Sequence, residues 1–260
     1  MSELFIRLSF LIYGLCVGSF LNVCIYRIPL SKSLVRPASS CPNCKTPIKI
    51  YDNIPVLSYL FLGGRCRACK TPISFRYPLI ELANGLLWMF CYMRYGMNPP
   101  CFIYLAFLST LLVITFIDID HRIIPDKISL PGIPVFFIGA LFLPAVGYLN
   151  SIFGILLGGG SLLLVAEGYR LITKQEGMGG GDIKLLAMIG ALLGWKGVFF
   201  TIFAASAVGT VVGLLVMIAT RNNMKLAVPF GPFLAFGAAL HVFAGEEMIR
   251  WYFGVSGLMG

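Results

Sequence analysis

Hydrophobic positions in this chain form long unbroken runs, separated by short polar breaks and, once, by a long hydrophilic insertion. The runs fall near 4–26, 78–96, 99–117, 128–147, 151–172, 183–194, 197–220 and 229–253. A helix crossing hydrocarbon needs roughly 20 such residues. The pattern therefore predicts an all-α polytopic membrane protein of about eight transmembrane helices. The run at 183–194 is short, because about a dozen helical residues rise only some 18 Å. It is expected to be buried among its neighbours or to lie in thinned membrane. The first run has no small-x-small cleavage site and continues into Arg27, so it reads as a retained helix rather than a secretory signal. Three regions follow: a first helix at 1–29, a cytoplasmic insertion at 30–77, and a membrane domain at 78–260.

Composition agrees with this pattern. Of the residues, 58% are apolar and 12% charged, against about 25% charged in soluble domains. The net charge of +9 does not point to nucleic acid, because of where the cations fall. Arg27, Lys32, Arg36, Lys45, Lys49, Arg65, Arg67, Lys70 and Arg76 all belong to the insertion or its edges. Cytoplasmic loops carry the excess of Lys and Arg, which places the insertion inside and the N-terminus outside. His121, Arg122 and Lys127, then Arg170, Lys174 and Lys184, then Arg221 and Lys225 fall on the same inner side, and eight spans put the C-terminus outside. Arg94 and Lys196 are single outer charges.

The insertion contains an internal repeat in which C-x-x-C-K-T-P-I occurs twice, at Cys41–Ile48 and Cys66–Ile73. Two C-x-x-C pairs suit a tetrahedral metal, and the 21-residue gap between them slightly exceeds the usual range for zinc. Two disulfides are the alternative, but cytoplasmic thiols are kept reduced. Cys41, Cys44, Cys66 and Cys69 are thus expected to hold structural zinc, which supplies folding energy that so small a domain lacks. The stretch from Tyr51 to Tyr59 fits a loop laid against the membrane surface. Cys16, Cys24, Cys91 and Cys101 share no spacing and read as small hydrophobes. His241, within an apolar run, reads as a packing residue, and Asn22 as a residue that hydrogen-bonds between helices.

Ionisable residues at a membrane segment are costly and point to function. The glycine-rich stretch Gly177-Met178-Gly179-Gly180-Gly181 delivers Asp182 to the start of one apolar run, where tight turning and close helix approach are possible. Helix capping is the plain alternative for Asp182. At the end of another run stand Asp118 and Asp120, which on a helix point about 200° apart, so only one can face Asp182. Asp118 adjoins the apolar stretch Leu111–Ile117, whereas Asp120 adjoins His121-Arg122, so Asp118 is the expected partner. Asp126, after Pro125, is expected to cap a helix starting at Lys127. Two carboxylates sharing a proton can activate water and polarise a peptide carbonyl. No Ser-His or Cys-His pairing is visible.

These motifs resemble the bacterial type IV prepilin leader peptidases across nearly the whole chain. Gly18-Ser19-Phe20-Leu21-Asn22-Val23 with Tyr26-Arg27-Ile28-Pro29 is similar to the family's first-helix signature. The two knuckles, Asn53-Ile54-Pro55, Gly64-Arg65-Cys66 and Ile73-Ser74-Phe75-Arg76-Tyr77-Pro78 with Glu81 resemble its cytoplasmic domain. Gly179, Gly181 and Asp182 match the Gly-x-Gly-Asp motif of intramembrane aspartyl proteases, and Asp118 occupies the position of the family's first catalytic aspartate. The resemblance implies an inner-membrane enzyme that removes the short basic leader of prepilins or pseudopilins after a glycine. It also implies N-methylation of the new N-terminus with S-adenosylmethionine. For that donor Asn53, Gly64 and Arg65 are the candidate contacts, and Glu81, Glu167 or Glu176, or anionic lipid headgroups, are candidates to receive the basic leader. A proton-coupled transporter with an aspartate relay is the alternative from another class. An inert zinc-bearing scaffold is a third.

Overall fold

The computed structural model describes residues 3–174, 179–220 and 229–255. Glu176, Gly177, Met178, Arg221 and Lys225 lie outside the described residues. Among those described, every long element is a helix: α1 (Glu3–Arg27), a short α2 (Leu57–Phe61), α3 (Arg76–Tyr95), α4 (Pro99–His121), α5 (Asp126–Ala140), α6 (Gly147–Thr173), α7 (Gly180–Thr220), α8 (Gly231–Leu240) and α9 (Glu246–Val255). By length and apolar character, α1, α4, α6 and α7 can each cross a membrane. The chain divides into two units, Met1–Val113 and Ile114–Gly260.

In the first unit α1 and α3 pack closely because small residues line their contact. A Cβ on Gly14 would lie 2.8 Å from the Gly85 backbone, and one on Gly18 would lie 2.7 Å from Glu81 Cα. Polar groups bridge the close approach. Asn84 donates to Gly14 O at 2.7 Å, Asn22 to Tyr77 O at 3.2 Å, Ser109 to Asn84 Oδ1 at 2.8 Å and Trp88 Nε1 to Ser109 Oγ at 3.0 Å. In a medium without water such bonds between helices replace the hydrophobic drive. Gly96, in the left-handed region at φ 65°, closes α3 by donating to Tyr92 O at 2.8 Å.

The second unit is built around the first arm of α7. Gly194 at φ 69° breaks this helix, leaving an arm at 180–193 whose Leu185, Leu186, Met188, Ile189 and Leu192 have no exposed surface. The short run expected near 183–194 is therefore a buried arm, wrapped by α5 and α6. Gly132 of α5 lies against Met188, Gly154 of α6 against Gly190, and Gly158 against the Leu186 backbone. Ser151 Oγ donates to Ala191 O at 2.5 Å. Two expected boundaries move: α5 stops at Ala140 rather than 147, and α6 begins at Gly147. Residues 141–146 bridge them in an irregular, turn-rich connection whose apolar start, Leu141-Phe142-Leu143, hydropathy reads as continuous helix. His241 lies in a π-helical turn between α8 and α9 and packs edge-on against Phe200, 5.3 Å between ring centroids.

Candidate active site and metal centre

Asp118 stands in the last turn of α4, which is followed by Arg122, a left-handed residue donating to Asp118 O at 2.8 Å. The Asp118 side chain is buried, only 5% exposed, and accepts a hydrogen bond from the Gly231 amide at 3.1 Å. Gly231 opens α8. A helix start presents unpaired amides and the positive end of its dipole, so the α8 terminus faces this carboxylate.

Asp182 stands in the first turn of α7, its amide donating to Gly179 O at 3.2 Å. Its side chain is half-buried. Ile124, in the link after α4, fills the angle between the elements. A Cβ on Gly181 would lie 2.9 Å from Ile124 Cβ, and one on Gly231 would lie 3.2 Å from Ile124 Cδ1 and 2.6 Å from Asp118 Oδ2. The missing side chains at Gly181 and Gly231 let the two helix starts close on the end of α4. Gly180 borders open space, so the close approach falls on Gly181 alone.

Asp120 is exposed. Asp126 departs from the expected cap. The helix begins at Asp126 itself, Pro125 occupies the N-cap position without a side-chain bond, and the Asp126 carboxylate pairs with Lys184 Nζ at 2.7 Å. That ion pair ties the start of α5 to the start of α7, two residues beyond Asp182. Sequence reasoning missed Gly231, Ile124 and Lys184. The Gly231-Pro232 dipeptide at the head of an apolar run was the one readable signal, since Pro favours the first turn of a helix.

The two knuckles have the same geometry. Cys41 N–H donates to Thr46 O and Lys45 N–H to Cys41 O, at 3.0 and 2.9 Å, while Cys66 N–H donates to Thr71 O and Lys70 N–H to Cys66 O, at 2.9 and 3.0 Å. Lys45 and Lys70 are both left-handed, at φ 58° and 59°, and one antiparallel bridge closes each loop, Ser40 with Pro47 and Arg65 with Pro72. All four Sγ atoms lie within 4.8 Å of one another. Cys41 and Cys69 approach to 3.8 Å and Cys44 and Cys66 to 4.0 Å. Hydrogen bonding with the Thr46 hydroxyl holds the Cys44 thiol below its ordinary range, and with that of Thr71 holds Cys69 down to about 5. Four sulfurs this close together could hold a tetrahedral ion.

Asn53 lines a cleft of about 300 Å³ with Ser19, Phe20, Val23, Arg27, Val35 and Ser39 among its walls. Gly64 and Arg65 are not part of it. Gly64, at φ 65°, is packed against Tyr59, and Arg65 is exposed. Glu81 is buried in the first unit and accepts from the Val56 amide at 2.7 Å. A carboxylate so engaged holds its own loop in place rather than facing outward. Glu167 is exposed and pairs with Arg170 at 3.2 Å. Around the loop, Ile50, Tyr51, Ile54, Leu57, Leu60 and Phe61 are exposed, which suits the expected membrane-surface position.

Residues 12–95 match the family described as Bacterial Peptidase A24 N-terminal domain, and residues 105–214 match the Type IV leader peptidase family. A Pseudomonas putida prepilin leader peptidase/N-methyltransferase is 38% identical, covering 91% of this chain and 90% of its own length. Proteins of the same name from Aeromonas hydrophila and Myxococcus xanthus are 34% and 41% identical. They cover 96% and 80% of this chain and 94% and 62% of their own lengths. No solved structure matches.

Proposed function

Because the chain belongs to the type IV leader peptidase family, we propose that Asp118 and Asp182 act together as the catalytic pair of a membrane aspartyl endopeptidase. The enzyme removes the leader of prepilins or pseudopilins and N-methylates the new N-terminus. The observation that supports the assignment is that Gly181, next to Asp182, and Gly231, which donates to Asp118, both pack on Ile124, so a buried carboxylate at a helix end and a half-buried one at a helix start share one neighbourhood.

Two neighbouring carboxylates in a partly dry site share a proton. The ionised one draws a proton from water, and the protonated one donates to the scissile carbonyl, so hydrolysis proceeds without a covalent intermediate. The Gly231 amide fixes the Asp118 carboxylate, and the Lys184–Asp126 pair fixes the start of α7, so neither acid need reorganise during the reaction.

Zinc is the metal we assign to the knuckles. Sulfur ligands 2.3 Å from a tetrahedral ion are about 3.8 Å apart, close to the Sγ separations of 3.8 and 4.0 Å. Its role is structural, since four thiolates leave no open position. S-adenosylmethionine supplies the transferable methyl group. The cleft beside Asn53 is the candidate place for such a ligand, having apolar walls at Phe20 and Val23 and polar ones at Ser19, Arg27 and Ser39. Its volume is at the lower end for small-molecule sites. Gly64 and Arg65 lie outside it, which leaves Asn53 as the sequence candidate that the cleft supports.

The charge distribution supports eight crossings of the bacterial inner membrane, with the zinc insertion and the carboxylates on the cytoplasmic side and both termini outside. The α5 helix and the buried arm of α7 then traverse as short segments shielded by their neighbours. No observation favours the transporter alternative. The test is incubation of purified protein in detergent with a full-length prepilin, read by mass spectrometry. Loss of the leader, followed by gain of one methyl group when S-adenosylmethionine is added, is the expected result. An uncut prepilin with folded enzyme would overturn the assignment.

A further inference from the structure

Cys91 and Cys101 share no sequence motif, yet the fold brings their sulfurs together. Cys91 lies one turn before the end of α3 and Cys101 in the first turn of α4, across a connection of only three residues, Gly96-Met97-Asn98. The two Sγ atoms are 3.9 Å apart, and the Cys91 thiol also approaches the Cys101 carbonyl at 3.6 Å. Neither residue has exposed surface. The helices around them are clamped by aromatic pairs, Tyr95 with Tyr104 at 4.7 Å and Phe10 with Tyr92 at 4.6 Å between ring centroids. The sulfurs have to close from 3.9 Å to a bonding distance of about 2 Å.

The membrane side matters as much as the distance. α3 begins at Arg76, directly after the cationic insertion, and its 20 residues rise about 30 Å. In the orientation given under Proposed function, its far end, with the cysteine pair, lies towards the face opposite the insertion. The chain's eight cysteines divide accordingly: four in the insertion, where thiols stay reduced for a metal, and two adjoining at the other face. Cys16 and Cys24 have no sulfur partner among the contacts described.

We infer that Cys91 and Cys101 are joined as a disulfide that staples the α3–α4 hairpin at the outer, oxidising face of the membrane. The inference rests on the orientation given under Proposed function and is independent of the peptidase chemistry. Both thiols give up their protons and one Sγ–Sγ bond forms. The two electrons reduce the disulfide of a protein oxidant in that compartment to a dithiol, by way of a mixed disulfide. The exchange precedes packing of the hairpin, since the folded pair is buried.

The experiment counts thiols. Protein from intact cells is quenched in acid, denatured in detergent with a chelator, and reacted with a maleimide mass tag before or after reduction. Unreduced protein should take two tags fewer than reduced protein, with a linked peptide containing residues 91 and 101. Cys91→Ser should abolish the difference, whereas Cys16→Ser should leave it unchanged. Equal tagging before and after reduction overturns the disulfide. A second arm then identifies which premise failed. If oxidised glutathione, present while the protein is synthesised cell-free into detergent, joins the pair, the geometry is right and the orientation wrong. If it does not, the sulfur approach itself is wrong. Leader cleavage by the same preparation separates either result from failure of the peptidase assignment.

Discussion

Gly231→Ala tests how the site is held without removing either carboxylate. The added methyl would stand 2.6 Å from Asp118 Oδ2 and 3.2 Å from Ile124 Cδ1, where ordinary contact begins at 3.4 Å. The carboxylate must therefore yield by roughly 0.8 Å, or α8 must retreat and stretch the 3.1 Å hydrogen bond from the Gly231 amide. A misplacement of about 1 Å at reacting groups costs on the order of 100-fold in rate. We expect kcat/KM for leader cleavage to fall roughly 30- to 100-fold, equivalent to about 2–3 kcal/mol of transition-state stabilisation. The loss should fall mainly on kcat, because the substrate's helix-binding surface is unchanged. Overpacking should also cost about 1–3 kcal/mol of stability, so thermal unfolding is followed alongside initial rates measured by mass spectrometry. Gly213→Ala is the control. It lies in α7 with no atom near its Cβ position, and it should leave the rate unchanged while gaining about 0.5–1 kcal/mol of helix stability. A folded Gly231→Ala enzyme that keeps half the wild-type rate would refute the steric argument.

Three further outcomes are expected. Gly181→Ala should lose activity at least tenfold while Gly180→Ala stays near wild type, because only Gly181 abuts Ile124, at 2.9 Å; equal effects in the cleavage assay would contradict this. Replacing Cys41 and Cys44 together by Ser should release the metal, measured by elemental analysis, and lower the abundance of the protein, since structural zinc contributes folding energy; a variant retaining one metal per chain would show that the four thiols do not form the site. Glu81→Ala removes the acceptor for the Val56 amide, which Val56 presents at φ 59°. It should destabilise the loop by about 1–3 kcal/mol and speed limited proteolysis between residues 50 and 62, and an unchanged cleavage pattern would contradict the latch.

The sequence made the helices legible because a bilayer allows only long apolar runs, so the runs and the helices nearly coincide. It misjudged where α5 ends, since Leu141-Phe142-Leu143 is as apolar as the helix before it and hydropathy carries no signal for a turn. The knuckles were legible because both ligands and left-handed lysines repeat with the same local spacing. The glycine run and the apolar residues before Asp118 are the signals that single out Asp182 and Asp118 for the proposed pair. Gly231 was not legible, because its importance comes from a contact with Asp118 far away in the chain, and a lone glycine has no periodicity to betray it. The Cys91 and Cys101 contact was hidden for a similar reason: only the tight turn at Gly96 brings their helices together.

The central claim is that Asp118 and Asp182 work as one unit. The most direct test is to measure kcat/KM for prepilin cleavage with Asp118→Asn, Asp182→Asn and the double variant, beside Asp120→Asn. Groups that act as a unit lose nearly all their effect when either is removed. Each single variant should therefore fall by a factor on the order of 1,000 or more, the double variant should fall no further, and Asp120→Asn should stay within about tenfold. A folded single variant that keeps a tenth of the activity, or an Asp120→Asn loss as deep as the others, would contradict the pairing.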